Sequence, residues 1–152
     1  MSGVALVVAL LASLVMLGPA LAHAFELANK IGLPRDQYFI VQQIYRGWDR
    51  FALVLLVQVV ALAVAAWLTR RQRAVAVPTI VTLLCVAGAQ ALFWAYTFPA
   101  NSATANWTLK TDDWETLRSH WEFSHLGGAV LQFIGVASLI VALVARGRST
   151  AG

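Results

Sequence analysis

His23-Ala-Phe-Glu26 and Glu122-Phe-Ser-His125 each set an imidazole and a carboxylate three residues apart, in reversed order, towards opposite ends of the chain. On a helix that spacing puts both side chains on one face. Two imidazoles and two carboxylates are suitable ligands for iron, copper, zinc or manganese. Glu-x-x-His projecting into a helical bundle is the ligand pattern of di-iron carboxylate proteins, although those use two further Glu residues. The same residues suit two other arrangements. His23 and His125 could ligate a haem from opposite sides, or a His–Glu pair could act without metal as general base on a bound phenol or enol. His23, Glu26, Glu122 and His125 are therefore the candidate catalytic and metal-ligating residues, and the cofactor stays open between a transition metal (Fe, Cu or Zn) and haem. A plainer account exists for the acids. Glu26–Lys30 and Arg118–Glu122 are i, i+4 pairs, which form ordinary helix ion pairs.

The elements that must carry these residues are apolar. Of 152 residues, 60% are hydrophobic and only 12% charged, against roughly 25% charged in a soluble domain. Mean hydropathy is +0.72. Runs at 4–22, 51–68, 75–98 and 126–145 contain no Lys, Arg, Asp or Glu, and each approaches the roughly 20 residues that cross a hydrocarbon core. The sequence therefore predicts one all-α domain, 1–152, folded as a four-helix antiparallel transmembrane bundle. Its spans are placed at about 4–24, 51–68, 75–98 and 122–145, with interfacial loops on the extracytoplasmic side. A soluble catalytic module has no room.

Four spans bring the end of the first helix and the start of the last to one side, at one depth. Arg118, Glu122, His125, Ala129 and Gln132 make a stripe at spacings of three and four on the fourth helix. A polar stripe of this kind should face the bundle interior rather than lipid. Gln90 and Trp94, also i, i+4, could meet it from the third helix.

The net charge of +4 and pI of 9.8 do not indicate nucleic acid, because the charge is distributed by loop. Arg70, Arg71, Arg73, Arg146 and Arg148 flank the second loop and the tail with no acid near them, while every acid lies in or beside the first and third loops. Arginine density at span ends places both termini in the cytoplasm. Ala22-His23-Ala24 resembles a signal-peptide cleavage site, but Met-Ser-Gly offers no positive n-region and the run is long enough to span, so the first segment is expected to be retained. Cys85, the single cysteine, excludes an intramolecular disulfide and reads as a small buried hydrophobe.

Along the chain, the first helix should run through His23 and Glu26, with Gly18-Pro19 permitting a bend. Residues 29–45 form a polar-mixed stretch broken by Gly32 and Pro34. Its Tyr38-Phe39-Ile40-Val41, with Tyr45 and Trp48, suits a segment lying at the interface. The third helix should end before Pro99. Asp112 and Glu115 stand as a capping box for the fourth, which at 1.5 Å per residue would run about 50 Å and stand above the bilayer. Gly127, Gly128 and Gly135, with Ala61 and Ala65, read as close helix-packing positions.

Pro99-Ala-Asn101-x-x-Thr104-x-Asn106-Trp107-Thr108, followed by Trp114-x-x-Leu117-Arg118-x-x-Trp121-Glu122-x-Ser124-His125, resembles small bacterial four-helix membrane proteins of unassigned function. His23-x-x-Glu26-x-x-Asn29-Lys30 and Tyr38-x-x-x-Gln42-Gln43-x-Tyr45-Arg46-Gly47 fit the same pattern. That broad family includes the fungal anthrone oxygenases, which oxidise anthrones to anthraquinones. The resemblance implies a bacterial inner-membrane protein with oxidoreductase or oxygenase-like activity on a hydrophobic substrate entering from the bilayer. Trp121, Tyr45 and Gln42 would then shape the pocket and Arg118 would orient Glu122. The competing expectation is a non-enzymatic accessory or assembly subunit, either self-associating or bound to a larger membrane complex.

Overall fold

A computed structural model describes residues 1–151, all-helical with no strand among them. Helix α1 spans Ser2–Lys30, α2 Arg35–Gln42, α3 Phe51–Thr69, α4 Arg73–Leu92, α5 Phe98–Ala103 and α6 Trp114–Ala151. Short 3₁₀ turns at Gln43–Tyr45 and Trp48–Arg50 link α2 to α3. A π-helical turn at Phe93–Thr97 fuses α4 and α5 into one rod. Four helical segments, Ser2–Lys30, Trp48–Thr69, Arg73–Ala103 and Trp114–Arg148, are long and apolar enough to cross a membrane. In the bundle α6 packs against α1 and α4, and α3 against α1 and α4.

Two cores hold it. Near the chain ends Leu6, Ala9, Ala61, Leu62, Ala65, Val75, Val86, Leu139 and Ala142 form one buried cluster. Its small side chains, Ala61 and Ala65 among them, let backbones approach, whereas Gly128, also read as a packing position, has nothing within 4 Å of where a Cβ would stand. Gly135 meets α4 directly: a Cβ there would lie 3.4 Å from Thr82 Cγ2 and 3.5 Å from Cys85 Cβ, and Thr82 Oγ1 donates to the Gly135 carbonyl at 2.9 Å. At the other end Tyr38, Phe39, Ala100, Trp107 and Trp121 make an aromatic cluster. Most outward positions are apolar, among them Leu53, Trp67, Leu84 and Phe133.

Residues 29–45, read from the sequence as a segment at the interface, include α2, which packs inward with Tyr38 and Phe39 buried. Two local expectations change. The third rod does not stop before Pro99. Proline has no N–H and its ring clashes with the carbonyl four residues back. The π turn absorbs this by shifting register, so that Phe98 N–H donates to the Phe93 carbonyl. No side-chain cap from Asp112 opens α6; the first turn closes instead on the Asp113 carbonyl, which accepts from Thr116 and Leu117 N–H.

Between α5 and α6, Ala105, Asn106 and Trp107 take consecutive left-handed conformations (φ 47°, 56° and 63°), each unfavourable for a residue with a Cβ. Thr104 holds the turn: its Oγ1 accepts from Trp107 N–H at 3.0 Å. The result is a Trp107 side chain driven inward, with 3% of its surface exposed.

Candidate functional site

The end of α1, the start of α6, α2 and the 3₁₀ turns meet where the aromatic cluster lies. Asn101 organises the aromatic wall, its Oδ1 accepting from both Trp107 Nε1 and Trp121 Nε1 at 3.0 Å. His23 and His125 face each other across α1 and α6 with ring centroids 4.2 Å apart. His23 also packs on Tyr45 (4.5 Å) and Trp121 (5.0 Å), while His125 lies 3.9 Å from the Trp121 ring. The two histidines thus converge as the sequence suggested.

The carboxylates do not join them. Glu122, 1% exposed, accepts from Tyr38 OH at 2.9 Å and pairs with Lys30 Nζ at 3.3 Å. Glu26 accepts from Tyr45 OH and pairs with Lys30 at 3.5 Å. Lys30, 3% exposed, donates to Tyr45 OH at 2.6 Å and sits 4.5 and 4.7 Å from the Tyr45 and Trp121 ring centroids. An ammonium therefore stands between the two acids. Among the described residues no three His, Cys, Asp or Glu side chains gather into a group able to hold a metal ion. The physical reason is angular. Residues i and i+3 are about 60° apart around a helix, enough for Glu122 to turn towards α2 and Lys30 while His125 turns elsewhere.

Arg118 also departs from expectation. It makes no ion pair with Glu122; it donates to the Leu33 carbonyl at 2.9 Å and stacks over Trp114 (4.5 Å) and Tyr38 (5.6 Å). Lys30 does the orienting assigned to it. Gln42 donates to Tyr38 OH, completing a chain from Gln42 through Tyr38 and Glu122 to Lys30. Burial, then the neighbouring Glu122 charge, holds the Tyr38 phenol well above its ordinary range. Burial and the bond to Glu26 do the same for Tyr45. Both phenols remain donors. At the rim, the Lys110–Asp36 bridge at 2.6 Å ties the third loop to α2, and Lys110 holds the Asp36 carboxyl below its ordinary value.

The histidines instead line a cavity of about 1170 Å³ that reaches from the loops into the bundle. Gln42, Tyr45 and Trp121 line it; Glu26, Glu122 and Arg118 do not. Its wall is chiefly apolar and aromatic, and along α6 it follows Trp121, Ser124, His125, Gly128 and Gln132. Gln90 and Trp94 complete it from α4, as the i, i+4 spacing suggested. Trp94 and Phe98 line the cavity and are about half exposed.

The His125 tautomer follows from geometry. Its Nδ1 lies 2.8 Å from the Trp121 carbonyl oxygen, which can only accept. Nδ1 therefore carries the proton, and in the neutral ring Nε2 holds the lone pair. His23 Nδ1 and Gln42 Oε1 are buried with no partner, and both residues line the cavity. Buried polar atoms normally find a partner in protein or water, so the wall has unfilled hydrogen-bonding capacity. No family model, curated protein or solved structure matches the chain.

Proposed function

We propose that this chain is an integral membrane protein whose cavity binds a hydrophobic small molecule bearing an acidic hydroxyl, with His125 Nε2 as general base. The four apolar helices cross in alternating directions with both termini cytoplasmic. The arginines of the second loop and tail support the cytoplasmic placement, and the approach of Arg146 to Gly3, where a Cβ would lie 3.3 Å from its Nε, supports both termini lying at one end of the bundle. The observation that carries the functional reading is the pair of adjacent imidazoles, tilted at 56° to each other, on the wall of a large, mainly apolar cavity. Such cavities with a few convergent polar groups are the usual form of small-molecule sites. Packed on the Trp121 ring, His125 is placed to act as base on a phenol or enol bound in the cavity.

The resemblance to the anthrone-oxygenase family extends this to an oxidation. His125 would take the proton of an enolisable aromatic ketone, and dioxygen would oxidise the resulting enolate. The ring CH₂ and O₂ become C=O and H₂O, which balances atoms and electrons with dioxygen as the sole oxidant. His125 returns its proton to the water formed. No step passes through Glu26 or Glu122, which Lys30 holds off the cavity.

The test uses the protein in lipid nanodiscs with a hydroxyanthrone, following quinone absorbance and dioxygen uptake against empty nanodiscs. Turnover should fall about 100-fold or more in His125→Ala, the usual weight of a general base, with thermal unfolding unchanged. Absence of both binding and turnover would refute the reading. Binding without turnover would overturn its enzymatic half and favour a carrier or accessory subunit.

A further inference from the structure

Gln132 lies two turns below His125 on the same face of α6, about 10 Å along the axis at 1.5 Å per residue. Both line the cavity, and between them stands Gly128, also on the wall. A Cβ built at Gly128 would meet nothing within 4 Å, so the cavity comes up to the helix backbone there. Gln132 itself is 5% exposed. Its Oε1 accepts from Gln58 Nε2 at 3.3 Å, and Gln58 is held in turn by Ser13 Oγ at 3.0 Å. That contact fixes the Gln132 amide with its oxygen turned into the bundle core and its NH₂ left as donor.

We infer that the cavity grips its ligand at two points. His125 Nε2 accepts from a hydroxyl at one end, and the Gln132 amide donates to an oxygen at the other, with an apolar body lying against Gly128. The ligand class is thus an apolar molecule with a hydroxyl at one end and an oxygen acceptor at the other. This rests on the proposed hydrophobic-ligand function and narrows it. A ligand without the second oxygen would leave the Gln132 NH₂ desolvated and unpaired, a loss of binding. Gln58 and Ser13 are positioning residues, since they act only through the orientation of Gln132.

Two naphthols of matched shape test it. 6-Methoxy-2-naphthol carries the second oxygen, and 6-ethyl-2-naphthol replaces it with carbon. Equilibrium dialysis into nanodiscs, corrected by empty nanodiscs, should show both binding the wild type, the methoxy compound about tenfold tighter, the worth of one hydrogen bond. Gln132→Leu should erase that preference and leave the ethyl compound's affinity unchanged. Gln58→Leu, which frees the Gln132 side chain, should reduce the preference without abolishing binding. If both compounds bind wild type equally, or Gln132→Leu keeps the preference, the two-point grip is wrong while the ligand-binding function stands. If neither binds, the proposed function itself fails.

Discussion

Lys30→Met tests whether the buried ammonium holds this end of the protein together. Lys30 and Glu122 are 3.3 Å apart and almost wholly buried. At an effective dielectric constant of about 20 their attraction is on the order of 5 kcal/mol. Glu26 adds a second, weaker attraction, because at 3.5 Å its side chain is 36% exposed and solvent screens it. Against this stands the desolvation of both ions, several kcal/mol each, so the network as a whole is close to neutral relative to an apolar replacement. Removing one member is different. Methionine keeps the packing against Tyr45 and Trp121 but leaves Glu122 with its charge, one bond from Tyr38, and an unpartnered Oε2. Breaking a buried pair in this way costs about 3–5 kcal/mol.

The assay is unfolding in mixed micelles with increasing sodium dodecyl sulfate, followed by tryptophan fluorescence and circular dichroism. Lys30→Met should lose about 3–5 kcal/mol, and Lys30→Met with Glu122→Gln should recover at least a third of it, since the second change removes the stranded charge. Lys110→Met is the control. Its bridge to Asp36 is shorter, 2.6 Å, but both partners are exposed, so its effect should fall within experimental error. Equal effects for Lys30→Met and Lys110→Met, or no recovery in the double variant, would refute the claim that burial rather than distance sets the strength.

The adjacent glycines should respond in opposite ways. Gly128→Ala should stabilise by about 0.5–1 kcal/mol through helix propensity, as nothing obstructs its Cβ, whereas at Gly127 a Cβ would lie 2.9 Å from Leu92 Cδ1 and the gain should vanish or reverse; Gly128→Leu should abolish naphthol binding while folding normally, and equal stabilities for the two alanine variants would contradict the placement. Tyr38 gives a pH signature. With its folded pKa raised above the ordinary 10.0, its contribution is intact below pH 10 and declines above it, as the unfolded chain releases a proton that the folded one keeps. The slope is about 1.4 kcal/mol per pH unit. Denaturant unfolding between pH 9 and 11 should show this decline reduced in Tyr38→Phe, and an unchanged slope would count against the buried phenol.

Legibility followed the range of the interactions. Four apolar runs made the helices readable because nothing local opposed them. The meeting of His23 with His125 was readable because even span number fixes which ends share a side. What pattern reading missed was the third partner. Lys30 was visible as a helix ion-pair partner of Glu26, yet its contact with Glu122 joins residues 92 positions apart (122 − 30) and depends on the inward fold of α2. Tyr38 was hidden for the same reason: an aromatic in a polar-mixed segment reads as an interfacial anchor until something covers it. The left-handed turn at Ala105–Trp107 carries no glycine to announce it, and the π turn before Pro99 replaces a helix stop that proline normally signals.

The separation of the two polar systems bears on what the site can do. Had Glu122 or Glu26 reached the imidazoles, each histidine would have had an acidic neighbour favouring its charged form. Instead the acids are neutralised on Lys30 and the imidazoles are left among aromatic rings, with His125 held as one tautomer by a backbone carbonyl. Tyr45 touches both systems, bonded to Lys30 and Glu26 on one side and packed on His23 on the other. The charged network thus fixes the position of the cavity wall without placing its charge there. A hydrophobic molecule bound in the cavity would meet His125 Nε2 beside the Trp121 ring, with the acids held apart on Lys30. In the proposed reading Lys30→Met should therefore lower turnover by disordering His23 and Tyr45, and it should do so in proportion to lost stability. His125→Ala should remove turnover with stability intact, and that contrast distinguishes a scaffold from a base.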